Sequence, residues 1–134
     1  MAVVVIDSSL AAAWLLDDEH HPLAEATFEN LGRHGGIVPC IWQFEICNTL
    51  LMAERRGRIS RSGIEGCIDA INELPISTDR ETDLSTCFQL ARKHDLTFYD
   101  AIYLELAERL NASLATLDNT LARAAEKEGL LWLG

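Results

Sequence analysis

An unbroken run of branched aliphatics, Val3, Val4, Val5 and Ile6, ends on an acid, Asp7. Branched side chains crowd a helix and suit a pleated strand, and a strand apolar on both faces must be covered on both sides. This requirement narrows the fold more than any other feature of the chain. Further short apolar runs follow, "GIVP", "PIST", "SLATL" and the closing "LLWLG", each separated from the last by a helix-forming stretch. Strands alternating with helices are joined by right-handed crossovers, which set a parallel sheet between two helical layers. The expected fold class is α/β: a three-layer sandwich with a central parallel sheet of four to five short strands.

Caps and periodicity divide the helical stretches. Helices are expected over "LAAAWLLDDE" and from Pro22 to about Arg33. The next spans residues 41–56, with Phe44, Cys47 and Leu51 on one apolar stripe and Gly57 closing it. Ser60 opens a fourth helix. "DRETDLSTCFQLARKH" reads as a fifth, capped by Asp79 or Thr78, "YDAIYLELAERL" as a sixth with Asp100 as a candidate cap, and "NTLARAAEKEG" as a seventh. With no internal repeat, linker or low-complexity segment, residues 1–134 are expected to form one domain.

The apolar share of 49% supports a real core, and the charged share of 24% is that of an ordinary globular protein. "MAVVVI" is too short for the apolar segment of a secretory signal and lacks a basic flank, and no apolar run approaches the ~20 residues of a membrane span. A cytoplasmic protein with no membrane partner is expected. The cysteines (Cys40, Cys47, Cys67, Cys87) form no C-x-x-C, and no histidine falls at zinc-site spacing from them, so they are expected to be reduced thiols buried as small hydrophobes. His20 and His21 are expected to be solvated. The net charge of −10 argues against broad electrostatic capture of nucleic acid. It leaves room for a nucleic-acid substrate met through a metal and a local basic patch such as "ERRGRISR", with Arg55, Arg56, Arg58 and Arg61.

The acids carry the chemistry. Ligands of open α/β sheets bind beyond the carboxyl ends of the strands. Asp7 ends the first strand, Asp118 ends "SLATL", and Asp100 starts a helix from which it can reach the same rim. Glu45 lies within an apolar helix, with Asn48 one turn on and on the same face. Each has an ordinary structural reading, as a helix cap or an ion-pair partner. If the four meet, two unit charges ~4 Å apart repel by roughly 4 kcal/mol at an effective dielectric of ~20, and the rim needs a cation. Carboxylates without His or Cys suit Mg²⁺ or Mn²⁺, and such an ion activates water against a phosphodiester. "DSSL" lacks the glycines of a phosphate-binding loop or a nucleophile elbow.

At these residues the chain resembles the PIN-domain ribonucleases of the VapC toxin type, and the resemblance runs from the first strand to the last. "VVVIDSSLAAAWLLDDE" resembles the family's opening, with its acid at Asp7. "PCIWQFEICNTL" carries an acid and an Asn three residues on, Glu45 and Asn48. "LTFYDAIYLELA" supplies Asp100, and "LATLDNTLARAA", followed by Gly129, supplies Asp118. The resemblance implies a Mg²⁺- or Mn²⁺-dependent endoribonuclease with Asp7, Glu45, Asp100 and Asp118 as its catalytic acids. Asp7, Asp100 and Asp118 would hold metal, and Ser8, Asn48 and Thr116 would support them. It also implies an RNA substrate, a homodimer and a cognate VapB-like antitoxin. The antitoxin's tail is expected in a groove flanked by the helices carrying Trp14 and Trp42.

Other classes fit less well. A PIN-like binding module without catalysis would not need all four acids. A phosphoacceptor receiver domain would use Asp79 as acceptor, but Asp7 has no acidic neighbour and "LLWLG" ends without Lys. A haloacid-dehalogenase-type phosphatase would need Asp where Ser9 stands.

Overall fold

The computed structural model describes residues 3–16 and 21–134. The branched run forms β1 (Val4–Ile6), and all three of its residues are buried, as a strand covered on both faces requires. The remaining strands are β2 (Gly36–Pro39), β3 (Ile76–Asp79) and β4 (Ser113–Ala115). All pair in parallel, in the order β3-β2-β1-β4. The closing "LLWLG" adds one parallel bridge, Leu131 to Leu114.

Around the sheet lie α1 (Ser8–Leu16), α2 (Pro22–His34), α3 (Trp42–Arg55) and α4 (Arg61–Glu73), then α5 (Leu84–His94), α6 (Phe98–Leu110) and α7 (Asn119–Lys127). The chain steps from β1 to β2 to β3 in one direction, then returns across the sheet to β4. Right-handed crossovers in opposite directions place their helices on opposite faces, so α1–α4 cover one side and α5–α6 the other. In α6, residues 101–107 are all buried, because it packs on β1, β2 and β4 with α5 across its outer side. The expected continuation of α1 through Asp17–Glu19 and the solvation of His20 lie outside the described residues, among which no helix is long and apolar enough to cross a membrane. His21 stands half-buried at the N-cap of α2.

Local chemistry explains most boundaries. Gly35 ends α2 at φ 74°, and a Cβ at Gly36 would stand 2.8 Å from Leu31 Cδ1 and 3.2 Å from Ile6 Cγ1, so buried side chains would have to shift to admit one. Ser60 caps α4, its hydroxyl accepting from the Gly63 N–H. Gly57 turns the chain out of α3 at φ 73°, as expected.

Four local expectations are corrected. Helix α5 begins only at Leu84 and is capped by Asp83, which accepts from the Ser85 N–H and the Thr86 hydroxyl, so neither Asp79 nor Thr78 caps it. Thr97, not Asp100, caps α6, accepting from the Asp100 N–H at 3.1 Å. The stripe of Phe44, Cys47 and Leu51 faces outward, Phe44 being 69% exposed, because the sheet side of α3 is carried by Trp42, Ile46, Leu50 and Ala53. Of the four thiols only Cys67 and Cys87 are buried, whereas Cys40 and Cys47 are exposed on turns and faces the core does not use.

Asp79 has a structural task. Arg109 grips it with two hydrogen bonds, Nη2 to Oδ2 at 2.6 Å and Nη1 to Oδ1 at 3.1 Å, and reaches the buried Glu105 with Nε to Oε2 at 2.7 Å. This Asp79–Arg109–Glu105 cluster ties the end of edge strand β3 to α6. Arg109 holds the Asp79 carboxyl below its ordinary range. A receiver domain needs that acid open at the end of its third strand, and here it is occupied.

Candidate metal centre

In a parallel sheet of order β3-β2-β1-β4 the strand order reverses at β1, and the crevice beyond the carboxyl ends of β1 and β4 is where such folds place ligands. Asp7 follows β1 directly and is buried there. Its Oδ2 accepts from the Thr116 hydroxyl at 2.5 Å and the Ser9 hydroxyl at 2.9 Å, and its Oδ1 from Ser8 at 3.4 Å. Thr116 and Ser9 are themselves fixed by backbone N–H groups, Asp118 N–H donating to Thr116 Oγ1 and Leu117 N–H to Ser9 Oγ, both at 2.9 Å. The carboxylate is thus oriented by a lattice joining the ends of both strands.

Asp118 caps α7, accepting from the Leu121 N–H at 3.0 Å, and remains exposed. Asp100 occupies the first turn of α6, half-buried. Glu45 stands in the first turn of α3 and its Oε1 accepts from the Tyr103 hydroxyl at 2.5 Å. Tyr103 is fully buried in α6, so this bond joins helices on opposite faces of the sheet.

The electrostatics bring the four acids together. Burial raises the Asp7 carboxyl above its ordinary range, with Thr116 and Ser9 opposing and the charge of Asp118 adding to it. Burial also raises Glu45, against the Tyr103 hydroxyl, and the charge of Asp7 raises it further. Asp100 is pushed up to about 6, by burial first and then by the charges of Asp118, Asp7 and Glu45. The charges that raise these three acids come from other carboxylates. Among the described residues no three potential ligands close into a ready-made cage. An ion that keeps most of its water needs only one or two carboxylates at a time, so the donor set fits Mg²⁺ or Mn²⁺ and not a zinc-type site.

A family model described as "PIN domain" matches residues 4–127. The chain belongs to the PIN-domain family. Among curated PIN relatives, "Ribonuclease VapC3" of Pyrobaculum aerophilum is 30% identical over 123 residues, covering 89% of this chain and 92% of that protein. "Ribonuclease VapC3" of Mycobacterium tuberculosis is 26% identical over 121 residues, covering 90% and 86%. The crystal structure of PAE2754 from Pyrobaculum aerophilum shares the fold, with a TM-score of 0.73 at 21% identity over 92% of this chain and 84% of that one. These matches place this PIN domain in the VapC type.

Of the supporting residues read from the PIN motifs, Ser8 and Thr116 do touch Asp7. Asn48 is exposed on α3, and its side chain forms no hydrogen bond among the described residues. Two contacts escaped the motif reading. Ser9 stands beside Ser8 in "DSS", and only the turn into α1 aims both hydroxyls at one carboxylate. Tyr103 lies three residues after Asp100, and that helical spacing was the available signal. Its hydroxyl favours the charged form of Glu45, so in Tyr103→Phe the Glu45 carboxyl should titrate at a higher pH than in the parent. Side-chain carboxyl NMR measures this, and an unchanged midpoint would remove Tyr103 from the site.

Proposed function

We propose that this chain is a Mg²⁺- or Mn²⁺-dependent endoribonuclease, the toxin of a VapBC-type toxin–antitoxin pair. The observation that carries the reading is the charge coupling among Asp7, Glu45, Asp100 and Asp118 at the reversal point of the sheet, where neighbouring carboxylates raise Asp7, Glu45 and Asp100. The names of the VapC3 relatives support RNA as the substrate.

Asp7, Asp100 and Asp118 would hold the ion, which when bound polarises water and offsets the charge of the phosphodiester under attack. The hydroxyls of Thr116, Ser9 and Ser8 hold Asp7 in one orientation before any ligand arrives. Glu45, kept in place by Tyr103, would accept the proton released by the attacking water. Asp118 combines ligation with capping, so the start of α7 fixes its carboxylate.

The VapB-like antitoxin and a homodimer belong to the same proposal. A cleft of about 280 Å³ lies beside Ser9, with Ala12, Ala13 and Leu16 of α1 and Leu117 offering apolar contact for an antitoxin tail. Trp14 borders α2, its Nε1 donating to Ala24 O, whereas Trp42 is buried and offers a tail little surface. The outward stripe of α3 joins Ile64 and Ile68 of α4 in a second apolar cleft, which suits subunit pairing.

The test maps RNA 5′ ends in cells expressing the chain with and without Asp100→Asn. Specific ends present only with the intact acid are expected, and no acid-dependent end would overturn the ribonuclease reading. With purified protein, Mg²⁺ or Mn²⁺ at a hundred times its Kd should stabilise the native state by about 2.7 kcal/mol, raising Tm by roughly 10 °C. Asp7→Asn/Asp100→Asn should lose this shift. Equal shifts in both proteins would show that the ions act elsewhere.

A further inference from the structure

A third cleft, of about 310 Å³, opens between the α5–α6 corner and α7, lined by His94, Asp95, Thr120, Arg123, Ala124 and Lys127. It runs along α7 from the end that Asp118 caps, where Thr120 stands two residues after Asp118, to the end where His94 meets Glu128. Thr120, Arg123 and Lys127 recur at helical spacing and share one face of α7. Arg123 and Lys127 are exposed, and neither forms an ion pair among the described residues. Lys93 and Arg109 are by contrast engaged, with Glu128 and with Asp79 and Glu105.

Two cations at i and i+4, neither held in an ion pair among the described residues, repel and weaken their own helix. In a chain of net charge −10, with acids in surplus, that arrangement calls for an explanation. Lys127 in the last turn of α7 suits the negative helix end, but Arg123 in the middle gains nothing from it. A polyanion laid along α7 accounts for both. By the rise of a helix, Arg123 stands about 7.5 Å and Lys127 about 13.5 Å beyond Asp118 along the axis. In the "ERRGRISR" patch Arg55 lies about 15 Å along α3 from Glu45, whereas Arg58 lines the separate cleft beside Ser9.

We propose that this cleft seats backbone phosphates of the RNA strand flanking the scissile bond, with Arg123 and Lys127 as the contacts and the Thr120 hydroxyl as an added donor. The buried His94, bonded to Glu128 Oε2 at 2.6 Å, forms the cleft wall and joins α5 to α7. Asp95 faces the same space and would keep phosphate on the α7 side. The proposal rests on the ribonuclease reading.

The experiment measures binding of a mixed-sequence single-stranded RNA oligonucleotide to the metal-free protein by fluorescence anisotropy across a KCl series. Each phosphate contact contributes ~0.7 to the slope of log K against log salt for single strands. Arg123→Gln/Lys127→Gln should therefore flatten the slope by about 1.4 and weaken binding about 25-fold at ~0.1 M relative to 1 M salt. Arg55→Gln/Arg56→Gln, which removes the same charge, should leave the slope unchanged. With Mn²⁺ added, the α7 variant should raise KM for RNA by the same factor at unchanged kcat. Equal slopes in parent and α7 variant, or equal losses in both double variants, would overturn the phosphate track. If the slope changes as expected but the parent cleaves nothing, the ribonuclease reading falls, and the cleft is an RNA-binding surface with no scissile bond beside it.

Discussion

Asp100→Asn should lower RNA cleavage by about a hundred- to a thousandfold while making the metal-free protein more stable at neutral pH. Activity falls because a ligand and its charge are lost at the point where the phosphodiester must be neutralised. Stability rises for a separate reason. The folded Asp100 carboxyl titrates at about 6, above its ordinary value of 3.8, so the native state holds the proton more tightly than the unfolded chain. The group's penalty is absent below pH ~4, grows as pH rises from there to ~6, and is complete above. Asn carries no such penalty. The Tm difference between variant and parent should therefore be near zero at pH 4 and positive at pH 7. Asp7→Asn should lose activity equally but gain less stability, because the amide cannot accept from Thr116 and Ser9 as a carboxylate does. Melts across pH together with single-turnover cleavage check this. An Asp100→Asn protein that melts below the parent at pH 7 would make Asp100 a structural residue, and one that cleaves normally would remove it from the site.

Arg109→Met should cost about 3–5 kcal/mol of stability, enough to lower Tm by 10 °C or more. Glu105 is 2% exposed and takes two of its hydrogen bonds from Arg109, so the substitution leaves a charge buried without its partner. Asp79 loses the same partner, and its carboxyl returns toward the ordinary range. Because Arg109 lowers the Asp79 carboxyl, that part of its contribution is present above pH ~4 and fades as pH falls below it. The double variant Glu105→Leu/Arg109→Met should recover much of the loss, since it removes the buried charge together with its partner. Thermal denaturation of both decides the matter. A single variant within about 2 °C of the parent would mean that Glu105 takes up a proton or reaches water without structural cost. Metal binding at the acidic rim should be unaffected in the folded variant, because the cluster lies at the end of β3, the edge strand away from β1 and β4.

Much of this protein is set by local pattern. The run Val4–Ile6 had to be a doubly covered strand, and alternation with helices then required a parallel sheet. Gly35, Gly57 and Ser60 mark turns and a helix start through chemistry confined to a few neighbouring residues. The acids were legible for the same reason: Asp7 follows a strand and Asp118 stands before a helix, and strand ends in this class share one rim. Asp100, Glu45 and the motifs around them carried the family.

Long-range pairing decided the rest. Which face of α3 is buried depended on where α3 meets the sheet, and Phe44, Cys47 and Leu51 repeat at helical spacing whether they face core or solvent. Thr97 and Asp83 displaced the expected caps because the chain turns into α6 three residues before Asp100 and into α5 four residues after Asp79, a matter of loop path. Tyr103 meets Glu45 across 58 positions and Thr116 meets Asp7 across 109. Thr116 was legible through its motif and Tyr103 only through its helical spacing from Asp100, and neither signal named the carboxylate that the hydroxyl would meet. The sequence by itself determined which acids end the strands, because that is a nearest-neighbour property. Only the tertiary structure decided how their charges add, because burial and repulsion depend on distances that packing alone sets.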